Sequence, residues 1–228
     1  MLTILLVLLG MIPGIAWLIF YLREDMDHPE PKRLILYVFL AGALVTVVVL
    51  QFQLAVHSWA NANGFATYSF ISFLLLAGVE EFFKFLVVYL VVSRRKEFDE
   101  PVDAMVYMIV AALGFATVEN IGSVFQSNNS FLAGPGPLET TVLRFVGATL
   151  LHTLSSGVVG YYWGKAVAKH GNYAGLIIKG LLIGTLLHAI FNYLIIKSEP
   201  VALPLIFLLF VAMFVLSDFE KLKRPPNT

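Results

Sequence analysis

The sequence contains no cysteine. Disulfides, a thiolate nucleophile and any cysteine-ligated metal are therefore excluded. Charge is scarce as well. Asp, Glu, Lys and Arg make up 13% of the 228 residues, about half the share of an ordinary soluble domain. The 15 basic and 15 acidic residues cancel, so nothing in the charge balance points to nucleic acid as a partner. There is no HExxH zinc signature, no Ser–His–Asp signal and no low-complexity segment.

What the chain has instead is apolar length, with 59% hydrophobic residues. A bilayer crossing takes about 20 mostly apolar residues. Seven stretches qualify: Leu2–Leu22, Leu34–His57, Tyr68–Val92, Val102–Gln126, Leu138–Trp163, Tyr173–Ile196 and Val201–Phe219. The expectation is an all-α, polytopic transmembrane bundle forming one domain over residues 1–228, multi-pass in the cytoplasmic membrane. The first stretch has no basic leader and no small-residue cleavage site, so it is expected to stay as a span.

The connections carry a pattern of their own. Arg23, Lys32 and Arg33 fall in the first, Arg94, Arg95 and Lys96 in the third, and Lys165 and Lys169 in the fifth. The second and fourth have no Lys or Arg, the sixth has only Lys197, and the tail has Lys221, Lys223 and Arg224. Basic loops gather on the cytoplasmic side. Seven spans then place the N-terminus outside and the C-terminus in the cytoplasm. Reporter fusions at Asn128 and Lys223 are expected to read outside and inside respectively. Both on one side would refute seven spans.

Ionisable residues inside these spans are costly, about 2.5–3.5 kcal/mol each at a helix centre, and are functional by default. The third span carries Glu80, Glu81 and Lys84, the fourth Glu119, the fifth Arg144 and His152, and the sixth Lys179, His188 and Asn192. Lys84 stands at i+4 from Glu80 and i+3 from Glu81, so the three share a helix face. Arg144 and Lys179, near span ends, fit snorkelling to the headgroups. His188 and Asn192 share a face at i, i+4. The tetrapeptide Thr-Leu-Leu-His occurs at Thr149–His152 and again at Thr185–His188, which chance in Leu-rich helices also yields. Converging carboxylates and imidazoles suit proton transfer, ion passage or metal binding. A hydrolytic enzyme, an ion or proton-coupled transporter and a structural polar network all stand open on these residues alone.

The motifs separate these readings. Glu80-Glu81-Phe82-Phe83-Lys84 is an EExxK pattern, Phe115-x-x-x-Glu119 an FxxxE pattern, and His188-Ala189-Ile190-Phe191-Asn192 an HxxxN pattern, with His152 between the last two. The set, in this order on successive spans, resembles the PrsW family of bacterial membrane proteases. His28-Pro29-Glu30-Pro31 resembles the acidic, proline-containing segment after that family's first helix. The resemblance implies cleavage of a single-span membrane protein, an anti-sigma factor, on its extracytoplasmic side, as the first step of regulated proteolysis in a stress response. It implies Glu80, Glu81, Glu119, His152, His188 and Asn192 as site residues, with Lys84 in support. The related type II CAAX prenyl proteases place an Arg one position beyond Lys84 and a His where Glu119 stands, so no prenylated substrate is implied.

Two mechanisms remain open. In the metal-free one, which the sequence slightly favours, Glu80 or Glu81 takes a proton from water, with Glu80 preferred as the base. His188 and Asn192 then donate hydrogen bonds to the developing oxyanion. In the other, a zinc ion is held by candidates among Glu81, Glu119, His152 and His188. A transporter or a non-catalytic membrane immunity or receptor protein is the alternative to both. The spans show no strong repeat symmetry of the kind transporters carry.

Overall fold

The computed structural model describes residues 1–24, 29–129, 135–169, 173–198 and 202–223. Among these there is no strand. The helices are α1 (Leu2–Glu24), α2 (Lys32–Ala62), α3 (Phe70–Val92), α4 (Asp103–Asn129), α5 (Pro137–Val146), α6 (Ala148–Lys169), α7 (Tyr173–Lys197) and α8 (Ala202–Lys223). Six stretches are long and apolar enough to cross a membrane: α1, α2, α4, α5 with α6, α7 and α8. Helix α3 matches them in length at 23 residues. Its composition is set apart by Glu80, Glu81 and Lys84, all buried against neighbouring helices rather than turned to lipid. The protein is an all-α bundle of membrane-spanning helices.

Local chemistry explains the ends. Ser69 caps α3, its side chain accepting from the Ser72 amide at 3.2 Å. The turn into α4 is closed by Asp103, whose Oδ2 accepts from the amides of Asp99 and Glu100 at 2.9 and 2.8 Å. Helix α2 stops at Asn63-Gly64, where Gly64 takes φ +75°, a conformation glycine adopts without a side-chain penalty.

The fifth stretch differs from the sequence expectation. It is broken at Gly147, which separates α5 from α6. Helix α5 turns Thr140 and Thr141 inward and exposes Leu138, Val142 and Leu143, and Trp17 Nε1 of α1 donates to the Phe145 carbonyl at 2.9 Å near its end. The segment His28–Pro31 is only partly described, since His28 lies outside the described residues. Its Glu30 is hydrogen-bonded by the Tyr107 hydroxyl of α4, so the segment is tied to the bundle.

Helix α4 is the central element. It is buried over almost its whole length, while α1, α2 and α8 expose a wide apolar face. Small residues permit this, because association within a bilayer depends on close backbone packing. A Cβ on Gly42 would lie 2.1 Å from the Ala111 carbonyl oxygen, and one on Gly114 2.0 Å from that of Phe39. Helices α2 and α4 therefore cross backbone to backbone. Helix α7 meets α6 in the same way at Gly184, against Ser155. These crossings bring α2, α3, α4, α6 and α7 around one point.

Candidate active site

At that point the polar residues of four spans meet. Glu80, Glu81 and Lys84 come from α3, Glu119 from α4, His152 from α6 and His188 from α7. The two Thr-Leu-Leu-His copies converge here as well. Their histidine rings lie edge to face with centroids 4.9 Å apart.

The adjacent glutamates have different surroundings. Glu81 is saturated. Its Oε1 accepts from Lys84 Nζ at 2.9 Å, His188 Nδ1 at 2.9 Å and Ser155 Oγ at 3.0 Å, and its Oε2 from Ser156 Oγ at 2.7 Å. Glu80 is held on one side only, with Gln53 Nε2 of α2 donating to Oε1 at 2.8 Å. Glu80 Oε2 is buried without a hydrogen-bond partner among the described residues. It faces His188 Nε2 at 3.7 Å and His152 Nδ1 at 3.8 Å.

The hydrogen bonds fix what each imidazole offers. His188 gives its Nδ1 hydrogen to the Glu81 carboxylate, so Nε2 presents a lone pair. That suits a metal ligand, not a donor to an oxyanion. His152 gives its Nε2 hydrogen to Glu119 Oε2 at 2.9 Å, which leaves the lone pair on Nδ1. Glu119 is held in turn by Arg144 Nη2 at 3.1 Å, and Arg144 Nε also reaches Asn120 Oδ1. Arg144 therefore turns inward to the cluster and does not snorkel. Asn192, one turn beyond His188, is half-buried and has no hydrogen-bond partner among the described residues.

One atom each from Glu80, His152 and His188 lie within 4.8 Å of one another, and all three residues are buried. Ligands about 2.1 Å from one ion sit about 3.4 Å apart, so the 3.7 and 3.8 Å separations need only a small contraction. A His₂Glu set is a known catalytic zinc arrangement. The unpartnered oxygen of Glu80 points into the gap, and each histidine has a carboxylate on its other nitrogen, the usual support for a metal-ligating imidazole. The residues fit a divalent ion. Of the sequence-level zinc candidates, Glu81 and Glu119 occupy these supporting positions, and Glu80 completes the set.

Gln53, Asn120, Ser155 and Ser156 also shape the site and were not among the sequence candidates. Gln53 had a signal, an amide within an apolar run.

Comparison with known proteins agrees with this picture. The family model described as PrsW family intramembrane metalloprotease matches residues 30–217, a range containing every residue of the cluster. The chain is 33% identical over 193 residues to a protein named Protease PrsW from Geobacillus kaustophilus, covering 83% of this chain and 79% of that one. It is 34% identical over 188 residues to the Protease PrsW of Oceanobacillus iheyensis, with 82% and 80% covered. It is 30% identical over 216 residues to that of Bacillus subtilis, with 93% of both covered. No solved structure matches significantly. The chain belongs to the PrsW family of intramembrane proteases.

Proposed function

We propose that this membrane peptidase is metal-dependent and cuts a single-span membrane protein, an anti-sigma factor, on its extracytoplasmic side. The observation that carries the metal reading is the buried trio of Glu80 Oε2, His152 Nδ1 and His188 Nε2, in which the carboxylate oxygen has no hydrogen-bond partner among the described residues and neither ring nitrogen carries a hydrogen of its own. When bound, a divalent ion supplies Lewis-acid activation of water and of the scissile carbonyl.

The protein's own groups do the rest. Gln53 fixes the rotation of the Glu80 carboxylate. Glu81 and Glu119 hold the two imidazoles in the required tautomers. Both contacts on Glu119 fall on Oε2, which leaves Oε1 to take and return a proton. Its side chain is 27% exposed, the most open of the cluster's carboxylates. Asn192 has an amide free to donate to an oxyanion.

The position of the cluster supports cutting on the outer side. Glu119 is nearer the end of α4 than its start, His188 nearer the end of α7, and His152 one turn from the start of α6. These ends lie on one side of the bundle. By the loop charges that side is extracytoplasmic. Glu80 lies about 15 Å in from the start of α3.

The test is cleavage of a single-span anti-sigma reporter by purified protein in vesicles, with metal analysis of the same sample. About one equivalent of zinc or a similar ion is expected. A tight chelator should stop cleavage and zinc should restore it. Active protein free of metal would refute the metal reading. A new terminus on the cytoplasmic side of the substrate's span would refute the placement.

A further inference from the structure

Lys84 has no part in the steps above, yet its side chain is fully buried at the centre of the cluster. Its Nζ lies 2.9 Å from Glu81 Oε1, 2.9 Å from His152 Nδ1 and 3.6 Å from Glu80 Oε2, and stands 4.6 Å from the centroid of the Phe115 ring. An ammonium only donates. Its bond to His152 therefore uses the Nδ1 lone pair, since the Nε2 hydrogen is given to Glu119. That lone pair is the one a metal would need. The same ammonium is the cation nearest the unpartnered oxygen of Glu80.

We infer that Lys84 is a built-in place-holder cation, holding Glu80 and His152 together while no divalent ion is bound and releasing His152 when one binds. The inference rests on the metal reading above. A nitrogen lone pair takes one bond, so the Lys84–His152 contact and a metal bond at Nδ1 exclude each other. The retreat strands no charge, because Glu81 and the face of Phe115 still receive the ammonium. The lysine stem has the rotational freedom to make that short swing, which a planar guanidinium lacks. Lys84 therefore lowers metal affinity and stabilises the metal-free protein, two effects of one contact.

The test compares the purified full chain with Lys84→Gln and Lys84→Met in the same detergent. Zinc affinity is measured by competition with a chelator, and Tm with and without saturating zinc. The variants are expected to bind zinc about tenfold or more tightly, since a competing positive charge a few ångströms away is gone. Their rise in Tm on adding zinc should also exceed that of the wild type. Equal or weaker affinity, with an unchanged rise, overturns the inference while leaving the metal reading intact. A wild type that binds no zinc overturns both. Should the variants not fold, the wild type still decides. With cadmium-113 as the probe and nitrogen-15 in the histidines, cadmium–nitrogen coupling is expected at His152 Nδ1. Coupling at His152 Nε2, or none at that ring, overturns the inference.

Discussion

Glu80→Gln is expected to give an inserted, folded protein that neither cleaves nor retains metal. Among the described residues Glu80 makes one hydrogen bond, from Gln53 to Oε1, and its Oε2 makes none, with the Lys84 ammonium 3.6 Å away. A glutamine keeps the size and an acceptor for Gln53 while removing the ligand charge. Activity should fall by at least about 10²–10⁴-fold, the range for losing one catalytic group, with a smaller loss of Tm in the metal-free state than Glu81→Gln, because Lys84 stands farther from Glu80, at 3.6 Å, and keeps its 2.9 Å contact with Glu81. Glu81→Gln should behave differently, because Glu81 accepts from Lys84, His188, Ser155 and Ser156. Removing one partner of a buried ion pair costs about 3–5 kcal/mol. Glu81→Gln is therefore expected to lose stability first, with activity following. Reporter cleavage, metal content and Tm of both variants, each in detergent, separate the roles. Full activity in both would end the catalytic reading of the pair. A fragile Glu80→Gln beside a robust Glu81→Gln would reverse the assignment.

The same physics explains what the sequence reveals and what it hides. A charge in a bilayer is expensive, so Glu80, Glu81, Lys84 and Glu119 stand out in apolar runs, and they do meet in space. Neutral polar groups are cheap and carry little signal. Ser155 can satisfy its hydroxyl on the Leu151 carbonyl of its own helix, at 3.0 Å, whether or not it also serves Glu81. Ser156 and Asn120 are equally silent. Arg144 sits where snorkelling and an inward ion pair look alike from one dimension, and only the break at Gly147 and the approach of α4 decide for the ion pair. The division of labour within Glu80-Glu81 is also hidden. Neighbours on a helix differ by about 100° in direction, and which one meets α6 and α7 depends on the rotation of α3 in the bundle. The tautomers of His152 and His188 depend on those partners in turn, so which ring nitrogen offers a lone pair is not legible in the sequence.

Gly42→Ala and Gly114→Ala are expected to be the most damaging small changes far from the chemistry. A Cβ at Gly42 would sit 2.1 Å from Ala111 oxygen and one at Gly114 2.0 Å from Phe39 oxygen, distances at which backbone must move. No flexible side chain stands between to absorb the methyl. Overpacking of this kind costs about 1–3 kcal/mol or more. The damage should also reach the site. Helix α2 carries Gln53, which donates a hydrogen bond to Glu80, and α4 carries Glu119, which orients His152. Forcing the two helices apart at the crossing moves these supports relative to α3 and α6. Lower Tm and lost cleavage should therefore appear together. Gly122→Ala on α4 is the control. Nothing lies within 4 Å of its Cβ, and alanine in a helix interior is favoured over glycine by roughly 0.5–1 kcal/mol. It should match or exceed the wild type in Tm. Thermal unfolding in detergent and reporter cleavage on the three variants check the prediction. Crossing variants as stable as Gly122→Ala would mean that α2 and α4 do not meet backbone to backbone, and that the placement of Gln53 beside Glu80 does not depend on that crossing.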